Sequence, residues 1–168
     1  KINIPFQNTN INVIFPKSNK SKRFAMKKVW IFQTGEPIHI DKNNTRPMRA
    51  INLANYLIQN NCRVTLWSSN FYHQKKLHRF SNFKSIKINS LLTIKLISSP
   101  GYTKNISFKR IYDHIILAYN LSKVLKTINE KPDYIIIGYP PIETSYVLIN
   151  WALRNKVKTV IDVKDQWP

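Results

Sequence analysis

From position 28 onward, short unbroken apolar runs alternate with longer stretches whose apolar positions recur at helical spacing. Lys28–Phe32, with Val29-Trp30-Ile31-Phe32 at its centre, reads as a buried strand. Arg46 to Asn60 reads as a helix, because Met48, Ile51, Ala54, Tyr56, Leu57 and Ile58 fall on one face. Thr45 is its expected N-cap, and Pro47 fits the first turn, where a missing N–H loses no bond. Arg63–Trp67, Ile86–Ile88 and Leu92–Ile97 read as strands, and Ser98-Ser99-Pro100-Gly101 stops the last of them. Ser107 to Asn129 is a long helical stretch closed by Glu130-Lys131-Pro132-Asp133. Tyr134–Ile137 is an all-apolar strand, Ile142 to Asn155 a helix and Thr159–Val163 a final strand.

Apolar strands separated by helices predict a parallel sheet covered on both faces, a doubly wound Rossmann-like α/β domain. In such sheets ligands bind beyond the carboxyl ends of the strands. That rule selects residues 33–46, 68–73, 138–141 and 164–168. The 168 residues suffice for one domain with its own core.

Residues 1–25 break the pattern. They hold no acid and carry a polar basic run from Lys17 to Arg23, whereas Met26 directly precedes the first strand. Two readings stand: an upstream extension, disordered or non-native, or a basic arm. The domain proper is then 26–168.

Charge changes the picture further. Lys and Arg number 27 against 8 Asp and Glu, a formal charge of +19. No acid occurs between Asp41 and Asp113, a stretch with thirteen Lys or Arg. Such a field attracts nucleic acid, anionic lipid or phosphorylated substrates. A chain rich in Lys, Asn and Ile also fits an AT-rich coding bias, which would make much of the charge compositional. The sequence has no zinc-finger spacing and no aromatic strand motif of the RNA-binding kind, so nucleic acid is not an expected partner. Cys62 is the single cysteine, which leaves no intramolecular disulfide and fits a cytoplasmic protein. No apolar run reaches the roughly 18 residues of a membrane span.

Candidate chemistry gathers at the strand ends. The loop from Gln33 to Arg46 feeds a helix N-terminus whose free N–H groups suit an anion, and the forked cation of Arg46 grips phosphate oxygens in pairs. A plain capped loop is the simpler alternative. The loop has neither G-x-G-x-x-G nor a P-loop pattern, so no dinucleotide or P-loop nucleotide site is expected. His73 is a candidate ligand for a substrate hydroxyl or a base, or a loop histidine without a role. Gly138-Tyr139-Pro140-Pro141 leads into another helix N-terminus. Alternation places Asp162 and Lys164 on one face of the last strand and Asp165 just beyond it, as a catalytic carboxylate or a cap. His39, His78 and His114 show no metal-ligand spacing, so no metal is expected. Apolar residues surround most of the 107–128 helix, while Lys104, Lys109 and Arg110 cluster at its start among Tyr102, Phe108 and Tyr112. This fits either a core helix or a head-group contact, with Lys75, Lys76 and Arg79 as further membrane-facing candidates.

Three stretches carry a family resemblance. The first is strand one, a long loop and Asn44-Thr45-Arg46 leading into Leu53-Ala54-Asn55-Tyr56-Leu57. The second is Ser68-Ser69-Asn70-Phe71-Tyr72-His73, similar to Ser-Ser-Phe-Asn-His. The third and most specific is Asp162-Val163-Lys164-Asp165-Gln166-Trp167-Pro168, similar to Glu-Val-Arg-Asp-Leu-Trp-Pro. Over about residues 27–168 the chain resembles the N-terminal domain of family 4 glycosyltransferases of GT-B fold, in the fucosaminyltransferase-like branch of capsule and O-antigen synthesis. Asn43 and Asn44 replace usual glycines, Asn61 replaces a helix-ending glycine, and Lys164 replaces an arginine.

The resemblance implies an acceptor-binding half of a retaining bacterial transferase. A second domain would hold most of the nucleotide sugar, which is a substrate rather than a cofactor. The acceptor would be a lipid-linked or polysaccharide glycan at the inner face of the cell membrane. Asp165 and Arg46 become catalytic candidates, and Asn44, Thr45, His73, Tyr139 and Pro140 substrate-binding ones. Without the second domain the fragment is expected to be inactive. The competing expectation is a non-catalytic basic module for anionic membrane or nucleic acid.

Overall fold

The computed structural model describes residues 25–41 and 46–164. Strands β1 (Lys28–Phe32), β2 (Arg63–Ser69), β5 (Lys84–Lys87), β6 (Leu92–Ile97), β7 (Tyr134–Tyr139) and β8 (Lys158–Val163) form one sheet in the order β5-β6-β2-β1-β7-β8. Five run parallel, and β5 alone is antiparallel, paired with β6 through Ile86 opposite Ile94. A two-stranded ribbon of β3 (Phe71–Tyr72) and β4 (Leu77–His78) stands apart from it. Helices α1 (Arg49–Gln59), α2 (Phe108–Lys126) and α3 (Ile142–Asn155) flank the sheet. The domain is therefore a small α/β unit with a mostly parallel, mixed sheet. The ribbon and the reversed β5 make the connection between parallel neighbours β2 and β6, where a crossover helix is usual.

Strand alternation builds two cores. On one face Trp30, Phe32, Trp67, Ile135 and Ile137 meet Leu117, Leu121 and Leu125 of α2 and Leu148 of α3. Trp30 stacks on Trp151 at 5.1 Å between ring centres and tilts against Trp67 at 5.0 Å. On the other face Val29, Ile31, Val64, Leu66 and Ile94 pack under Ala50 and Ala54 of α1. Helices do not cover the whole sheet, however. Val160, Ile161 and Val163 of edge strand β8 remain exposed, so the expectation of two fully covered faces holds only toward the centre.

Helix α1 begins later than its periodicity indicates. Its N-cap is Met48, which makes no side-chain cap, and Pro47 lies outside the helix rather than in its first turn. The cap comes from a distance: the Glu36 carboxylate accepts the Ala50 N–H at 2.8 Å. Thr45, the expected cap, lies outside the described residues, as do residues 1–24 of the basic extension. The other end follows expectation. Asn61 takes φ 58°, and the N–H groups of Asn61 and Cys62 return to the carbonyls of Ile58 and Leu57. This is the left-handed helix stop that glycine usually makes. Helix α2 is capped by the Ser107 hydroxyl, which accepts from the Arg110 N–H. Its expected apolar girth resolves into a single buried stripe, Asp113, Leu117, Leu121 and Leu125, with Ile111, Ile115 and Tyr119 exposed.

Candidate functional site

Strand β1 continues through α1 to β2 on one side, whereas β7 follows α2 and precedes α3 on the other. The chain thus parts in opposite directions between adjacent strands β1 and β7. Their carboxyl ends cannot both be covered by the departing loops, and a crevice opens there. It holds a cavity of about 250 Å³. The β1 loop supplies Gln33, Thr34, Gly35 and Glu36, and the end of β2 with its ribbon supplies Ser69, Phe71 and His73. The α2 side supplies Tyr102, Arg110, Asp113 and His114, while Pro140 and Lys164 come from the ends of β7 and β8.

Each wall is fixed by bonds the local sequence does not announce. Glu36, almost fully buried, caps α1 with one oxygen and pairs with the Lys164 ammonium through the other. The α1 N-terminus therefore already has an anion, supplied by its own preceding loop. Beside Glu36, Arg79 is enclosed in a forked pair with Asp41, both contacts at 2.7 Å. Its remaining hydrogens reach the carbonyls of Ser69 at 2.9 Å and Phe71 at 3.3 Å. The side chains of Arg79 and Asp41 are 4% and 5% exposed, so Arg79 is a structural tie and not a membrane-facing cation. On the α2 side the Asp113 carboxylate accepts the Gly101 N–H at 2.6 Å. Gly101 needs to be glycine: its φ is +77°, and a Cβ there would come within 2.6 Å of the Phe71 ring.

His73 sits in a cluster of donors. The Tyr102 hydroxyl lies 2.5 Å from its Nδ1, and the Lys76 ammonium 3.2 Å from the same atom. An ammonium only donates, so Nδ1 is the acceptor and the ring proton is on Nε2. Burial, then the charges of Lys76, Arg110 and His114, hold the His73 pKa below the ordinary histidine value. His114 is also lowered, chiefly by burial, against an opposing pull from Glu143. His73 is thus a neutral ring that offers an N–H. This arrangement suits hydrogen bonding to a ligand oxygen better than proton abstraction.

These two depressed pKa values set a pH dependence. An unfolded histidine titrates near 6.5, so the unfolded chain takes up protons that the folded chain refuses. Stability contributed by neutral His73 and His114 is complete above that value and is lost as pH falls toward their folded pKa values. Urea midpoints should drop between about pH 7.5 and about pH 5.5, and His73→Gln should flatten that drop. An unchanged slope in both His73→Gln and His114→Gln would assign the dependence to carboxylates instead.

The cavity brings His73 and Pro140 together, and it recruits Arg110 from the group of surface cations. Tyr139 is half-buried at the end of β7, where its carbonyl accepts the Lys164 N–H at 3.1 Å. Arg46 is exposed before α1 and is not on the cavity wall. Lys104 and Lys109 are exposed around the start of α2. Asn44, Thr45 and Asp165 lie outside the described residues. Glu36, Tyr102, Asp113 and His114 were not singled out as cavity residues by sequence. The signal for Asp113 was its place in the stripe Asp113, Leu117, Leu121: an acid on a core-facing row has a partner or a task. Among the described residues no three His, Cys, Asp or Glu side chains converge as a metal site would require.

No protein-family model matches the chain, and no curated protein matches it.

Proposed function

We propose that this chain is the acceptor-side domain of a retaining glycosyltransferase that acts on a lipid-linked or polysaccharide acceptor in bacterial surface-glycan synthesis. The observation that carries the reading is the crevice at the carboxyl ends of β1 and β7, with the β8 end and its Asp162-Val163-Lys164 run at its edge. Its lining mixes aromatic faces, Phe71 and Tyr102, with amide and hydroxyl groups of Gln33, Thr34 and Ser69. Such a surface can orient a molecule rich in hydroxyls. A purely electrostatic binder has no need of this concavity. The GT-B reading assigns the nucleotide sugar mainly to a second domain facing the crevice, and it keeps Arg46 and Asp165 as the catalytic candidates. The test is transfer of a labelled sugar from nucleotide sugars to a polyprenyl-diphosphate-linked sugar, with the chain supplied together with a donor-binding domain. The reading expects a product of retained anomeric configuration, and none from these 168 residues alone. Turnover by this chain alone would contradict the division of labour.

The same reading places the domain on an anionic membrane, as a peripheral contact. No helix among the described residues is long and apolar enough to cross one. Ile106 and Phe108 are 96% and 91% exposed beside Lys104 and Lys109, and Ile111, Ile115 and Tyr119 extend the apolar row along α2. Apolar side chains that enter the interface, rimmed by lysines that meet phosphates, make a coherent docking face. Each lysine contributes about 1 kcal/mol near an anionic surface. Lys104→Gln with Lys109→Gln should therefore weaken binding to phosphatidylglycerol vesicles at least about tenfold, and high salt should do the same. Equal binding to phosphatidylcholine vesicles would contradict this placement.

A further inference from the structure

We propose that Lys76, His73 and Arg110 form a subsite for an anionic group of the ligand, a phosphate or a sugar carboxylate, beside the Tyr102 ring. The identification of the ligand as a glycan acceptor rests on the function proposed above; anion binding itself does not.

Three nitrogen-bearing groups converge on Tyr102. The Lys76 ammonium lies 4.4 Å above its ring centre, the Arg110 guanidinium carbon 5.8 Å, and His73 meets its hydroxyl. None of the three is in an ion pair among the described residues. Lys76 is held by the neutral side-chain oxygen of Asn105 at 2.6 Å, and Arg110 by the Asn105 carbonyl at 2.9 Å. The carboxylates nearby are directed elsewhere. Asp113 accepts from the Gly101 backbone, Glu143 faces His114 at 3.7 Å, and Glu36 is paired with Lys164. His73 and Arg110 line the cavity, and Lys76 stands behind them against the His73 Nδ1 and the Tyr102 ring. Like charges gathered there disfavour one another, and the Lys76 pKa is lowered by burial and by Arg110. An anion in the cavity relieves that repulsion. Arg110 offers a forked donor, and the Nε2–H of His73 adds a neutral one. An uncharged ligand leaves the wall unbalanced, so the site should discriminate by charge as well as by shape.

The test titrates the 168-residue chain with inorganic phosphate, glucuronate and glucose at constant ionic strength, following the His73 ring by NMR. Phosphate or glucuronate should bind and raise the pH at which His73 titrates, because a nearby anion favours the charged ring. Glucose should do neither. Arg110→Gln should weaken anion binding by about tenfold to a hundredfold, as expected for one charge-assisted contact, while Lys131→Gln, exposed in the loop before β7, should change it less than about twofold. If Arg110→Gln does not fold, Lys76→Gln provides the same comparison. Preference for phosphate assigns a phosphorylated acceptor, and preference for glucuronate an acidic sugar. Glucose binding as tightly as the anions would overturn the proposal, as would equal losses in Arg110→Gln and Lys131→Gln. Anion binding without sugar transfer when a donor-binding domain is supplied together with the chain would keep the subsite and remove the transferase reading.

Discussion

Replacing Arg79 with Met should lower the folding stability by about 3–5 kcal/mol, the cost of leaving a buried charge without its partner. Arg79 makes two 2.7 Å bonds to Asp41 and further bonds to the carbonyls of Ser69 and Phe71, with its guanidinium 4.6 Å above the Tyr72 ring centre. Its loss strands the Asp41 carboxylate, which would keep only the Ile38 N–H as a partner among these contacts. The β1 loop, the end of β2 and the β3–β4 ribbon would all loosen, and they form one side of the cavity. In a domain of this size the melting temperature should fall on the order of 10 °C. Lys75→Met, a change at an exposed cation in the same segment, should have little effect. Adding Asp41→Asn to Arg79→Met should recover part of the loss, since the unpaired charge is then gone. Urea denaturation of the parent, Arg79→Met, Asp41→Asn and the double variant closes the cycle. A loss below about 1 kcal/mol for Arg79→Met would place the pair among ordinary surface ion pairs.

On the transferase reading proposed above, Arg46→Ala in the two-domain enzyme should reduce the catalytic rate on the order of a hundredfold, with a smaller effect on donor binding. The first turn of α1 already receives a carboxylate, so the helix end has less unbalanced positive potential to offer a diphosphate. Arg46 is exposed outside the cavity, two residues before its lining residue Met48, and on the proposed reading it is the cation that meets negative charge as the glycosidic bond breaks. Help given only in the transition state appears in the rate rather than in binding. Arg46→Lys should restore part of the activity by keeping the charge while losing the fork. Equal rates for Arg46→Ala and the parent enzyme would remove Arg46 from the site.

What the sequence revealed was whatever depends on near neighbours. Strand β1 and helix α3 lie at their expected bounds, because an apolar run or a helical stripe is a local property. The Asn61 helix stop was legible for the same reason. The missed features depend on distant partners. The α1 start is set by Glu36, fourteen residues from Ala50. The Arg79–Asp41 tie spans 38 positions, and nothing local distinguishes Arg79 from the exposed lysines nearby. A strongly basic composition hides such a residue, because each cation is first assigned to the surface. The carboxyl edge was located by topology alone, yet its α2 wall was not, since Arg110 and His114 reach it from a helix that crosses back over the sheet and Tyr102 from the loop before that helix. Strand β5 was recognised as a strand, but its direction depends on the ribbon before it.

The most direct test of the central claim is NMR mapping of the 168-residue chain during titration with a short-chain polyprenyl-diphosphate-linked sugar. If the crevice is the acceptor site, the largest shifts should fall on Thr34, Gly35, Ser69, His73 and Tyr102, and a nucleotide sugar should perturb them far less. Shifts confined to the exposed lysines, or a nucleotide sugar bound more tightly than the acceptor at these same residues, would contradict it.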